Sequence, residues 1–459
     1  MKVAIKTYGC QMNERDSEMV GVLLQRQGYA LTRSESGADI VIVNTCSVRG
    51  KAEEKALGKL GLLVASKQNH PGRIVGAVGC MVQRLGHDIL RKVRGLDFAV
   101  GTHRLWTVPS VVDAVREGHG PIIDVSGADD RSDSALGAPR VSPESVVNTH
   151  EKGVVSAFIN VLFGCDRRCT YCVVPEVRGK EWSRPAQDVI KEADTRARNG
   201  VKEITLLGQS VMSYGRRNRV WTQDYPSEMG LTEPLPRLLE ALNGIRGLAR
   251  VRFTSGHPSG CTEELVRAMV ELPAVCEHVH FPVQSGSDRI LERMNRGYVT
   301  KDFRAAAARL RAAIPHVAVT TDVIVGFPSE TVDDFEMTRA FMEEIGFDNA
   351  FVFKYSSRPG TPAAEWADDV SEKEKFRRNH VILDDQNRRS LKLNQAWIGR
   401  EVEVLVAGKS KRNASRWSGR TRTNKIVVFD ALTMHTAGEL VMVTVDRAGE
   451  QTLYGRVKT

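Results

Sequence analysis

A chain of 459 residues is long enough for two or three domains and a large buried core. Hydrophobic residues at 41% and charged residues at 26% are ordinary for a globular protein, and the longest apolar runs are strand-length, far below the roughly 20 residues of a membrane span. The net charge of +9 is modest, so its distribution matters more than its size. The chain enters a strand at once, with no apolar signal-peptide core. A cytoplasmic protein is expected, whose eight cysteines form no disulfide framework and whose clustered ones point to metal or redox chemistry.

Residues 1–118 alternate strands, expected at 3–8, 39–43, 73–78 and 97–100, with amphipathic stretches near 16–27, 50–67 and 104–117. This rhythm predicts a parallel sheet covered by helices, a small doubly wound α/β domain over 1–120. "VAIKTYGC", "IVIVNTC" and "RIVGAVGC" each run from a strand into a thiol, at Cys10, Cys46 and Cys80. Ligand sites in open parallel sheets lie beyond the carboxyl ends of the strands, so the three can converge on one edge. Taken singly, each also suits a buried free cysteine. Residues 126–144 are rich in Ser, Asp, Gly and Pro without periodicity, which predicts a linker over 121–150.

A second alternating series has strands near 154–163, 203–208, 250–255, 278–283, 317–325 and 349–355. Six βα units in about 215 residues, where eight would need roughly 250, predict an open, partial (β/α)6 barrel over 151–395. The polar stretch 213–234 reads as a loop inserted after the second strand. From Trp397 onward, short alternating runs between turn residues predict a small antiparallel β-barrel over 396–459. That segment carries eleven Lys/Arg against six Asp/Glu. Lys409, Lys411, Arg412, Arg416, Arg420, Arg422 and Lys425 lie together with Trp417 and no acidic residue. Such a patch suits RNA backbone contact, the alternative being a solvated face.

Directly after the first barrel strand, "FGCDRRCTYCVVP" places Cys165, Cys169 and Cys172 in C-x3-C-x2-C spacing. Three thiolates this close can wrap one corner of a cubane, each on a different iron, leaving a fourth iron without a protein ligand. Zinc normally takes four N or S ligands, and no fourth Cys or His is near in sequence. Cys261 and Cys276 have no partner pattern and read as core thiols.

The C-x3-C-x2-C loop, with an aromatic before its last cysteine and opening a partial barrel, resembles the radical S-adenosylmethionine (SAM) enzymes. The resemblance implies a 4Fe-4S cluster on Cys165, Cys169 and Cys172, whose open iron chelates SAM and whose electron cleaves it to a 5′-deoxyadenosyl radical. "TYGCQMNERDSE", "NTCSVR", "RGKEWSRP", "LLGQSV", "FTSGHP", "PVQSGSD", "DVIVGFPSET" and "RPGTPAA" resemble the MiaB-type methylthiotransferases over nearly the whole chain. That family implies the order methylthiotransferase domain, radical SAM core, and RNA-binding TRAM barrel. It also makes Cys10, Cys46 and Cys80 the ligands of a second 4Fe-4S cluster, which carries the transferred sulfur, and implies no catalytic residues beyond the cluster ligands.

Within that resemblance, Gln209, Ser255, Gln284 and Glu330, at the ends of barrel strands, are the candidate SAM contacts. Gln209 follows Gly208 where Gly-Glu is common, Asp322 and Ser329 stand where relatives often have Gly, and "PEVRG" departs from the usual Pro-aromatic-Thr-Arg-Gly. Arg178, Glu181 and Arg184 follow the cluster loop, where an Arg could bind SAM or an RNA phosphate, the alternative being a surface salt bridge. The implied activity is methylthiolation of carbon 2 of the prenylated adenosine 3′ of the anticodon. The rivals are sister enzymes acting on threonylcarbamoyladenosine in tRNA or on a ribosomal-protein aspartate, and a non-catalytic RNA-binding iron–sulfur protein. Expected partners are a tRNA anticodon stem-loop, an electron donor such as flavodoxin or ferredoxin, and a sulfur source or iron–sulfur assembly proteins. The protein is expected to be a monomer away from any membrane.

Overall fold

A computed structural model describes residues 1–126, 153–221, 226–431 and 434–458. In chain order the first region forms β1 (Lys2–Thr7), α1 (Gln11–Arg26), β2 (Ala30–Leu31), β3 (Ile40–Thr45), α2 (Gly50–Ala65), β4 (Ile74–Gly79), α3 (Cys80–Leu85), α4 (Asp88–Lys92), β5 (Phe98–Val100), α5 (Val108–Arg116) and β6 (Ile122–Asp124). Then follow β7 (Ser156–Asn160), β8 (Leu162–Phe163), α6 (Val174–Arg178), β9 (Trp182–Ser183), α7 (Ala186–Arg198), β10 (Glu203–Leu207), α8 (Pro234–Asn243), β11 (Arg250–Phe253), α9 (Glu263–Glu271) and β12 (His278–His280). The rest comprises α10 (Asp288–Arg293), α11 (Thr300–Ala313), β13 (Ala318–Val325), α12 (Val332–Ile345), β14 (Asn349–Lys354), α13 (Glu372–Gln395), β15 (Glu401–Lys409), β16 (Trp417–Thr421), β17 (Ile426–Asp430), β18 (Leu440–Ala448) and β19 (Thr452–Val457).

The chain divides into two compact units, Met1–His150 with Leu162–Arg167 and Cys172–Trp182, and Glu151–Val161 with Arg168–Tyr171 and Ser183–Thr459. In the first, six strands pair in the order β2-β1-β3-β4-β5-β6, all parallel. Strand alternation sorts β3 between two cores: Val41 and Val43 join Leu60 of α2 and Met81 of α3, while Ile40 and Ile42 join Val20 of α1 and Val112 of α5. The chain turns to opposite sides of β1 to make β2 and β3, so the switch point of the sheet lies between β1 and β3. β6 lies within 121–150, the span expected to be linker, because its three residues extend the sheet beside β5. Residues 127–150 of that span lie outside the described residues.

In the second unit, β7, β10 and β11 form one parallel sheet and β12, β13 and β14 another, and a bridge from Val251 to Val275 joins them. Among the described residues, six parallel strands with covering helices and no closing pair make the partial barrel. Within 213–234, Tyr214, Val220, Trp221 and Leu231 are buried, so the described part of that insertion packs rather than projecting. The final five strands close as β15-β16-β17-β19-β18 around Val404, Val406, Trp417, Phe429 and Val443. The expectation of an antiparallel barrel needs one correction: β17 and β19 run parallel. Five strands cannot close with every neighbour antiparallel, since alternation around a ring requires an even number.

Candidate cysteine-based metal centres

In the first unit, Cys10 caps the start of α1, Cys46 follows β3, and Cys80 opens α3. Cys10 and Cys46 therefore flank the switch point, and Cys80 stands at the neighbouring strand end. Two glycines make the approach possible. Gly9 has φ +132°, and a Cβ there would sit 2.8 Å from Cys46 Cβ. Gly79 has φ +100°, and its Cβ would fall 2.4 Å from Asn44 Oδ1 and 2.7 Å from the Thr45 carbonyl. A buried amide network fastens the same loops: Asn13 Nδ2 donates to Asn44 Oδ1 (3.0 Å) and the Thr45 carbonyl (2.8 Å), and Thr45 Oγ1 donates to the Val78 carbonyl (2.7 Å). Sequence reasoning passed over Asn13, Asn44 and Thr45, although "QMN" and "NTC" place amides beside two of the cysteines.

The thiols feel one another. Burial pushes Cys46 up from the ordinary thiol range, against the backbone N–H of Arg49, with Cys10 adding to the rise. Cys80 is pushed up to about 12 by burial, Arg178 pulling the other way. Such thiols would remain protonated at neutral pH until a metal supplies positive charge, which ionises coordinating sulfur outright. No three His, Cys, Asp or Glu side chains among the described residues close around one point as a single ion requires. Three cysteines that each bind a different iron of a cubane need no such point, so the donor set fits a cluster.

The C-x3-C-x2-C loop is shared between the units, and each part has its own anchors. In the first, the Cys165 N–H donates to the Gly179 carbonyl (3.1 Å) and Asp166 Oδ1 accepts from the Glu181 N–H (2.9 Å). Arg178 is buried and bonds Asp16 Oδ2 at 2.6 Å, so it forms a buried ion pair. In the second unit, Thr170 donates through its N–H to the Met294 carbonyl and through Oγ1 to that of Arg293. Buried Arg296 lies with Nη1 3.2 Å from Cys169 Sγ and donates through Nη2 to the Pro282 carbonyl (2.9 Å). Arg296 was missed by sequence reasoning, because nothing in "MNRGYV" signals a partner 127 residues away. Arg184 donates to the Asn160 carbonyl and to Glu192, each at 2.8 Å.

The four candidate SAM contacts stand beyond the carboxyl ends of β10 to β13. Ser255 (φ +56°), Gln284 (φ +71°) and Ser329 (φ +71°) adopt left-handed backbone that side chains rarely take, a strain that collects at ligand sites. Asn160 Oδ1, Gln209 Oε1 and Ser210 Oγ, at the ends of the paired strands β7 and β10, are buried without a hydrogen-bond partner among the described residues. Orphaned polar atoms at that edge fit a polar ligand. Glu330 is engaged differently: Oε2 accepts from the Gly326 N–H and Arg378 Nη1, each at 2.6 Å, while Oε1 has no partner among the described residues. Cys261 and Cys276 are buried, and burial pushes Cys261 up to about 11.

The seven cations of the C-terminal barrel divide. Arg422 bonds Glu277 Oε1 (2.7 Å) and the carbonyls of Pro273 and Val275, and Lys425 Nζ bonds Asp348 Oδ1 (2.8 Å) and Asn394 Oδ1 (3.0 Å). From the other side, Arg250 donates to the Arg420 carbonyl and Glu403, and Arg252 to the carbonyls of Thr421 and Arg422. These contacts fasten the small barrel to the amino-terminal ends of the core strands, away from the SAM candidates. Lys409, Lys411, Arg412 and Arg420 stay exposed, Lys409 lying 3.9 Å over the Trp417 ring, while Arg416 pairs with Asp430.

Three family descriptions match the chain: the uncharacterized protein family UPF0004 over residues 2–101, the radical SAM superfamily over 159–342, and the TRAM domain over 395–458. The tRNA-2-methylthio-N(6)-dimethylallyladenosine synthase of Methylacidiphilum infernorum is 41% identical over 99% of this chain and 94% of its own. Those of Opitutus terrae (41%; 99% and 97%) and Moorella thermoacetica (42%; 99% and 97%) are similar to the same extent. The radical SAM methyltransferase TsrM of Kitasatospora setae, solved with tryptophan and a SAM analogue, shares the fold at TM-score 0.56 and 14% identity, over 79% of this chain and 75% of that one. No helix among the described residues is long and apolar enough to cross a membrane. With six thiols presented from a doubly wound sheet and a partial barrel, and relatives matched end to end, the chain belongs to the tRNA-2-methylthio-N(6)-dimethylallyladenosine synthase family of radical SAM enzymes.

Proposed function

We propose that this chain methylthiolates carbon 2 of N6-dimethylallyladenosine at the tRNA position 3′ of the anticodon, in the cytoplasm. The observation that carries the reading is the gathering of Cys10, Cys46 and Cys80 at the switch point of a sheet separate from the barrel that Cys165, Cys169 and Cys172 open. A radical SAM enzyme that only cleaved SAM would need the second group alone. When bound, the clusters and SAM supply the sulfur, the methyl group and the radical. The chain supplies the holders. Cys10, Cys46 and Cys80 hold the auxiliary cluster, and Cys165, Cys169 and Cys172 the SAM cluster. Asn160, Gln209, Ser255 and Gln284 offer polar atoms to SAM at the strand ends.

The substrate base lies in a single-stranded loop, so it can enter a pocket without the cost of opening a duplex. Lys409, Lys411 and Arg412 are the cations left to meet the tRNA backbone, with Trp417 behind Lys409, while exposed Arg420 donates to Asn424. Arg422 and Lys425 serve instead to fix the barrel that carries them. An electron donor and a sulfur source are required from outside the chain. The test is anaerobic reconstitution followed by reaction with prenylated tRNA. The C10A/C46A/C80A protein should still cleave SAM reductively yet form no methylthio nucleoside, and product at the parent rate would overturn the assignment.

A further inference from the structure

Arg178 ends α6, six residues after Cys172, and the residue is 7% exposed. Its partner Asp16, 162 residues away, sits on α1 within two turns of Cys10. Val173 and Val177 of the same segment pack on Cys80, and Thr102, just past β5, donates to the Val177 carbonyl. The segment is thus fixed at two points against the sheet edge that bears the thiols. Arg178 directly follows Val177, which packs on Cys80, and Asp16 is its countercharge. A buried ion pair is weak evidence for stability, since apolar groups of similar volume commonly do as well or better. Its place next to the Cys80 strand end, on the helix that Cys10 caps, is better explained by electrostatics.

We propose that Arg178 is a positioning residue that sets the reduction equilibrium of the cluster held by Cys10, Cys46 and Cys80, with Asp16 opposing it; this rests on the reading that those cysteines hold a 4Fe-4S cluster. Three thiolates give such a cluster net negative charge, and taking up one electron adds another. A buried cation close by favours the reduced form, and a buried anion disfavours it. Because Arg178 belongs to the segment leaving the C-x3-C-x2-C loop, one short stretch of chain both ligates one cluster and tunes the other.

The test uses the full-length chain carrying C165A, C169A and C172A, reconstituted anaerobically so that only the auxiliary cluster reports. Iron is counted, and the reduced fraction is followed by electron paramagnetic resonance during potentiometric titration. Arg178→Gln should shift the equilibrium at least tenfold toward the oxidised form, about 59 mV for one electron. Asp16→Asn should shift it the opposite way, and Arg178→Lys should stay close to the parent. Opposite signs are what a packing role cannot produce. Unchanged midpoints in loaded variants, shifts of like sign, or equal loss of iron from Arg178→Gln and Arg178→Lys would overturn the proposal. A parent protein that binds no iron in this background would instead sink the ligand assignment, and the proposal with it.

Discussion

Replacing Lys409, Lys411 and Arg412 together with Ala tests whether the exposed edge of the C-terminal barrel meets the tRNA backbone. All three side chains are solvent-exposed. Each phosphate neutralised by such a cation contributes about 0.7 to 0.9 to the slope of log affinity against log salt. Losing three contacts should flatten that slope by about 2 to 3 units, so about 20- to 40-fold of the affinity lost between roughly 50 and 200 mM salt should disappear. Arg422→Ala is the contrast. Its guanidinium is spent on Glu277 and two carbonyls, so the slope should hold while stability falls by about 1–3 kcal/mol as those acceptors lose their donor. Filter-binding titrations of prenylated and unmodified tRNA, with thermal melts of both variants, give the two readouts. A slope unchanged in the triple variant, or flattened by a full unit in Arg422→Ala, would refute this division of the basic patch.

Anaerobically reconstituted protein should hold about eight irons, and C165A/C169A/C172A about four, with SAM cleavage abolished; full iron in the triple variant, by colorimetric assay, would contradict the ligand set. Gly79→Ala forces a side chain onto a φ of +100° and against Asn44, so it should cost about 2–5 kcal/mol in denaturant titrations and lower iron retention; parent-like behaviour would show the loop has slack. Asp334 is burdened by burial, yet bonds from Arg289, Ser287 and Thr331 hold its carboxyl below the usual range. Its contribution should be complete above about pH 4 and fade as pH falls toward the lowered folded value. The melting temperature of Asp334→Asn should therefore trail the parent more at pH 7 than at pH 3, and an equal gap at both would remove the ionised carboxylate from the account.

Cys10, Cys46 and Cys80 stand just past strands β1, β3 and β4, as the sequence pattern expected, because the break of a strand pattern is a local event. The run Ile40–Val43 needed only its own apolar continuity to announce a strand buried on both faces. What escaped notice depends on pairing across the chain. Asp16 looks like an ordinary surface charge, and nothing local to Arg178 names it as the partner that folding buries beside it. Arg250 and Arg252 read as the polar side of a strand, yet they meet backbone carbonyls of the C-terminal barrel about 170 residues away. β6 is three residues of "IID" that become a strand only because β5 offers an open edge. Which of the seven basic residues stay free is likewise set by Glu277 and Asp348, which the local sequence does not contain.

The central claim is tested most directly by giving the reconstituted full-length protein SAM, a strong one-electron reductant and tRNA bearing N6-dimethylallyladenosine, then analysing the digested nucleosides by mass spectrometry. The account predicts 2-methylthio-N6-dimethylallyladenosine, dependent on Cys10, Cys46 and Cys80 as well as on Cys165, Cys169 and Cys172. Absence of that nucleoside from a protein loaded with both clusters, or methylthiolation of threonylcarbamoyladenosine in its place, would contradict it.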